Sequence, residues 1–79
     1  MEGELPSAAQ LRAARALLGW SQDQLASASG KARRTIAKFE LGQGVIQPDT
    51  VRALQTCLEQ AGVVFTRDKH TEGVHRRFT

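Results

Sequence analysis

From Lys31 to Lys38 the chain places four cations, Lys31, Arg33, Arg34 and Lys38, and no acid. Ile36 and Phe39 fall at positions that turn to the opposite side of a helix over the same stretch. An arginine guanidinium is a rigid fork that can donate to both O6 and N7 of guanine. A helix with such a face, braced by a packed neighbour, has the charge and shape to enter the major groove of duplex DNA. The plainer alternative is a solvated charged face, common on surface helices.

The elements that must hold this helix are readable from local signals. Ser21 to Glu40 reads SQDQLASASGKARRTIAKFE, two short helical patterns meeting at Gly30. Ser21 with Gln24 three positions on makes a capping box, which sets the start of the earlier helix. That helix is expected over Gln22 to Ala28, with Leu25, Ala26 and Ala28 inward. The charged helix is expected from about Ala32 to Leu41. Before them, Pro6 and Ser7 open a first helix with Leu11, Ala14, Arg15 and Leu18 on one face, ending at Gly19. After Gly42 and Gly44, Pro48 and Asp49 open a fourth with Val51, Leu54, Leu58 and Ala61 inward, stopped by Gly62.

Val63-Val64-Phe65 and Val74 to Phe78 are β-prone, with a polar loop between them. Two readings stand open: a β-hairpin, or a tail without fixed structure. A lone two-stranded hairpin is marginal in water, so two copies meeting edge to edge would relieve it. On that reading Val63, Val64, Phe65, Val74 and Phe78 form a dimer contact. The division expected is a flexible lead over 1–6, a helical domain over 7–62 and a tail over 63–79.

Bulk composition agrees with one small domain. A chain of 79 residues buries only a little over ~60% of its unfolded surface, so its core is thin. Apolar content of 41% argues against wholesale disorder, and the net charge of +3 is mild. The concentration of cations near Arg33, against Glu2 and Glu4 at the amino end, says more than the total. No stretch approaches the ~18 apolar residues of a membrane span. With no secretory leader visible and a single cysteine, Cys57, a cytoplasmic protein without an internal disulfide is expected.

Other chemistry finds little support. His70 and His75 with Cys57 or Asp68 match no compact zinc spacing, so no metal and no cofactor are expected. No phosphate loop, paired carboxylates or activated nucleophile is present, so no enzymatic activity is expected. Trp20 reads as a core flank and Cys57 as a small core or interface residue.

Taken in order, Arg12-Ala-Ala-Arg-Ala-Leu-Leu-Gly-Trp-Ser-Gln, Leu25-Ala26, Gly30, Thr35-Ile36, Phe39-Glu40, Gly42 and Leu58-Glu-Gln-Ala-Gly-Val-Val-Phe65 resemble the lambda-repressor/Cro-like (XRE) helix-turn-helix family. The resembling block, Leu11 to Phe65, is roughly two thirds of the chain. The resemblance implies an all-α, lambda-repressor-like domain of four to five short helices, here with the C-terminal hairpin as an option. It implies that Arg33, Arg34 and Lys38 read bases in double-stranded DNA, with Lys31, Ala32 and Thr35 at the groove edge. Ser21 and Gln22 would meet a phosphate, and Arg15 and Glu40 would form a largely buried ion pair.

The implied function is a sequence-specific transcriptional regulator, a repressor bound as a homodimer to an inverted repeat with half-sites ~10–10.5 bp apart. The alternative is an antitoxin or other interaction module whose tail binds a protein partner. Two departures from the family stand out. Lys31-Ala32 replaces an apolar residue followed by Ser or Thr, so the third helix lacks a side-chain cap. The loop Gln43-Gly44-Val45-Ile46 carries no charge, so phosphate contact there falls to backbone N–H groups, and Val45 and Ile46 are alternatively dimer contacts.

Overall fold

Each of the first two helices begins where a serine closes a capping box. In the computed structural model, which describes residues 4–78, helix α1 spans Ala8–Leu18 and α2 spans Gln22–Ser29. The Ser7 hydroxyl accepts from Gln10 N–H at 3.1 Å, and Gln10 Oε1 accepts from Ser7 N–H at 2.9 Å. Ser21 and Gln24 repeat the arrangement at 3.0 and 2.7 Å. Gly30 ends α2 at φ 75°, a left-handed turn that a side chain would strain. Helix α3 spans Arg33–Glu40 and has no side-chain cap at Ala32. Helix α4 spans Pro48–Gln60, with proline in its first turn where a missing N–H costs nothing.

The tail is a hairpin. Strand β1 (Val63–Arg67) pairs antiparallel with β2 (Glu72–Arg76), Val63 opposite Arg76 and Phe65 opposite Val74. β2 therefore starts at Glu72 and stops at Arg76, two residues earlier at each end than Val74 to Phe78. Asp68 sets the turn by accepting from the N–H groups of His70 and Thr71, both at 2.8 Å.

One core serves helices and hairpin alike. Leu11, Ala14, Leu25, Ile36, Leu54, Leu58, Val63 and Phe65 are buried together, with Leu18, Trp20, Phe39, Cys57 and Val74 packed at its margin. Ala28, expected inward, is exposed, because α2 is only two turns long and buries just Leu25 fully. Of the residues assigned to a lead over 1–6, Pro6 is buried and Glu4 pairs with Arg67 at 2.9 Å, while residues 1–3, like Thr79 in the tail, lie outside the described residues. No helix among the described residues is long and apolar enough to cross a membrane.

The hairpin is fastened to α1 by more than apolar contact. Gln10, only 3% exposed, donates from Nε2 to the carbonyls of Thr66 (2.9 Å) and Gly73 (3.0 Å). Ser7 Oγ donates to Glu72 at 2.6 Å, and Arg67 bridges Glu72 and Glu4. Gln10 thus caps its own helix with one end of its amide and holds the hairpin with the other. Gln24 occupies the same capping position in α2 but is exposed and touches no strand. Gln10→Ala should therefore cost about 1–3 kcal/mol more than Gln24→Ala in urea unfolding. It should also speed amide exchange of the hairpin; equal costs for the two variants would contradict the fastening role.

Candidate nucleic-acid interface

Helix α3 owes its placement to its last residue. Glu40 is 3% exposed, although it is charged and lies one turn beyond buried Ile36. Arg15 of α1 donates to it in a fork, Nε to Oε2 and Nη2 to Oε1, both at 2.6 Å. Gln22, the first residue of α2, donates to Oε1 at 2.9 Å. Arg12 donates to the Glu40 carbonyl, and the remaining Arg15 nitrogen donates to the Trp20 carbonyl at 2.9 Å. One carboxylate thereby ties α1, α2 and α3 together, and the fork prescribes the angle between them.

Burial pushes the Glu40 carboxyl up. The hydrogen bonds from Arg15 and Gln22, with the charges of Arg15 and Arg12, outweigh burial and hold it below the ordinary glutamate value. The hydrogen bond to Glu40, with its charge, raises Arg15 in turn against the opposing effect of burial. Glu40 is ionised throughout the neutral range, and its charge stays compensated.

With its inner face committed, α3 turns Arg33, Arg34 and Lys38 into solvent, while Lys31 and Thr35 are half-buried beside them. Arg34 and Lys38 have no ion-pair partner among the described residues. Arg33 differs, since its Nε lies 3.1 Å from Asp23 on α2. That pair is wide open to water and worth little, so a stronger anion can displace it. Ser21 caps α2 beside this face, and the N–H groups of Gln22 and Asp23 have no partner among the described residues. Those donors, at the positive end of the helix dipole, suit a phosphate.

Beyond α3, Gln43 to Gln47 curve back so that they, Arg34, Thr35, Lys38 and Thr50 line a groove of about 350 Å³. The N–H groups of Gly44, Val45 and Ile46 have no partner among the described residues, and Val45 is 94% exposed.

A helix-turn-helix family model matches residues 11–59, more than half of the chain. The chain belongs to that family, in its XRE/Cro–C1 type. No curated protein matches it. Members are DNA-binding transcription regulators. The helix-turn-helix pair is α2 and α3, with Gly30 at the bend.

Of the expected residues, Arg34, Thr35 and Lys38 line one groove and Arg33 reaches Asp23 on α2, while the Gln22 side chain joins Arg15 on Glu40. The residues expected at a dimer contact are scattered. Val63 and Phe65 are spent on the chain's own core, Val64 and Val74 are half-buried, and Phe78 alone is widely exposed.

Arg12 and Asp23 escaped sequence reasoning. Arg12 stands one turn before Arg15, a spacing that places both cations over one helix face. No local signal pairs Asp23 with Arg33.

Glu40→Ala should lose about 3–5 kcal/mol, because it strands Arg15 without its partner. Glu59→Ala, on the exposed side of α4, should change stability by no more than about 0.5 kcal/mol. The contribution of Glu40 is complete above its unfolded value of about 4.3 and fades as pH falls through its lower folded value. Thermal melts of wild type and Glu40→Gln should therefore converge on acidification below about pH 4. Melts that stay parallel would contradict the ionised pair.

Proposed function

We propose that this protein is a sequence-specific regulator that inserts α3 into the major groove of double-stranded DNA. It binds an inverted-repeat operator as a two-fold homodimer and represses by occluding the promoter. The observation that carries the reading is the division of labour on α3: Glu40 and Ile36 anchor one face, and Arg34 and Lys38 leave the other with free cations.

Arg34 and Lys38 are the primary base readers. Arg33 joins them after exchanging Asp23 for a base edge or phosphate, so its contribution is smaller than its exposure suggests. Lys31 and Thr35 border the groove. Ser21 and Gln22 present the amino end of α2 to one phosphate, and the loop N–H groups at Gly44 to Ile46 meet another. Such a regulator acts in the cytoplasm, where the lone thiol of Cys57 is stable; burial raises its pKa and lowers its reactivity.

Selection from random duplex DNA should recover an inverted repeat with guanine in each half-site. On that sequence Arg34→Ala should lose about 1–3 kcal/mol of discrimination at one base pair. Lys31→Ala should weaken all sequences alike. A dimer neutralising about six phosphates should show log affinity falling with log salt at a slope near −5. No enrichment of any sequence, or a slope near zero, would overturn the reading.

A further inference from the structure

We propose that the groove between α3 and the loop before α4 also takes a small phosphorylated molecule from solution, of the nucleoside monophosphate class, and that this ligand releases the protein from DNA. The regulatory half rests on the preceding reading, since it needs α3 to face DNA. The binding half does not.

The two walls of the groove differ in kind. On the α3 side stand Arg34 and Lys38, both exposed and without an ion-pair partner among the described residues. On the loop side Gly44 has only backbone to offer. Its N–H group, with those of Val45 and Ile46, has no partner among the described residues. No carboxylate is among the lining residues. The nearest acids in the chain are committed elsewhere: Glu40 is buried against Arg15, and Asp49 borders a separate hollow between α2 and α4. Donors on both sides with no competing negative charge make a site for an anion.

Shape argues for more than a backbone phosphate. A duplex phosphate needs only a rim of donors, whereas this groove encloses about 350 Å³ over a floor of half-buried Thr35, Ile46 and Thr50. That volume lies at the small end of ligand sites and suits one phosphorylated ring compound. The lining divides accordingly. Arg34 and Lys38 match the two charges of a phosphate monoester, and Val45 and Ile46 give a flat ring an apolar wall. The Gln43 and Gln47 amides each carry a donor and an acceptor, the pairing that a base edge presents. An uncharged loop, weak as a contact to the DNA backbone, is suited to a ring.

Competition follows from sharing. Arg34 and Lys38 cannot satisfy a ligand phosphate and a DNA base edge at once, so each occupant lowers the affinity for the other by the same factor.

Amide shift titration of the labelled full chain without DNA, at constant ionic strength, tests the binding half. The probes are purine and pyrimidine nucleoside 5′-monophosphates, inorganic phosphate and the parent nucleosides. At least one monophosphate should saturate with Kd below about 1 mM. It should move Arg34 to Lys38 and Gln43 to Thr50 and leave Ser21 to Gln24 unchanged. Inorganic phosphate and the nucleosides should each bind about tenfold more weakly or worse. Lys38→Gln should weaken monophosphate and inorganic phosphate alike, whereas Ile46→Ala should weaken only the monophosphate, by about threefold to tenfold. The wild-type titrations decide the matter where a variant fails to fold. In the regulatory arm, the monophosphate should release a selected duplex at a concentration where sodium chloride of equal ionic strength leaves it bound.

Equal affinity for every anion, shifts that never saturate, a contact at the start of α2 instead, or a bound nucleotide that leaves the duplex in place would each overturn the proposal. Should no nucleotide bind while a duplex does, the major-groove reading stands without it. Should nucleotides fill the groove and no duplex bind, that reading falls and the binding half stands.

Discussion

A carboxylate removed from water must be compensated, and in this chain the compensation is what orients α3. Glu40 accepts from Arg15 twice and from Gln22 once, while Arg12 takes the carbonyl of the same residue. Buried ion pairs add little net stability relative to a well-packed apolar replacement. What this one contributes is direction. An apolar contact tolerates sliding, whereas a two-pronged guanidinium–carboxylate bond has one geometry. Since α3 is only eight residues long and lacks a side-chain cap, it cannot hold its own angle. The bond from Gln22 also ties the start of α2 to the end of α3.

Helix α1 is the shared support for both ends of the molecule. On one face Arg12 and Arg15 reach α3; on another Ser7 and Gln10 reach the hairpin, and Leu11 and Ala14 fill the core between. The hairpin is therefore part of the domain rather than an appendage. Val63 and Phe65 supply apolar volume that a helical core of this size lacks, and Gln10 donates to two strand carbonyls, tying α1 to both strands. A consequence is that anything pairing with β2 acts on the helix that also carries the Glu40 brace.

Much of this was legible before any coordinates, and the parts that were not share a cause. Helix starts at Ser7 and Ser21, the glycine stop at Gly30 and the missing cap at Ala32 are local features, set by residues within one turn. The inward positions of Leu25, Ile36, Leu54 and Leu58 follow from period alone. Ala28 did not, since a two-turn helix has too few positions for period to be diagnostic. Gln10 was invisible as a clasp because its partners lie more than fifty residues away and are backbone carbonyls, which carry no sequence signature. The strand bounds slipped for a related reason. Glu72 and Gly73 look unlike strand residues, and only α1 packing and Ser7 make them so. At the interface, residue types disclosed the cations but not that Asp23 would hold Arg33.

These observations converge on one surface: α3 outward, the start of α2 on one side and the loop after Gly42 on the other. Amide shift mapping of the labelled protein, titrated with a selected duplex, would locate the contact residue by residue. The largest changes should fall on Ser21 to Gln24, Lys31 to Lys38 and Gln43 to Ile46, with α4 and the hairpin little affected. Changes concentrated on α4, or spread evenly over the molecule, would contradict the assignment of α3 as the reading helix.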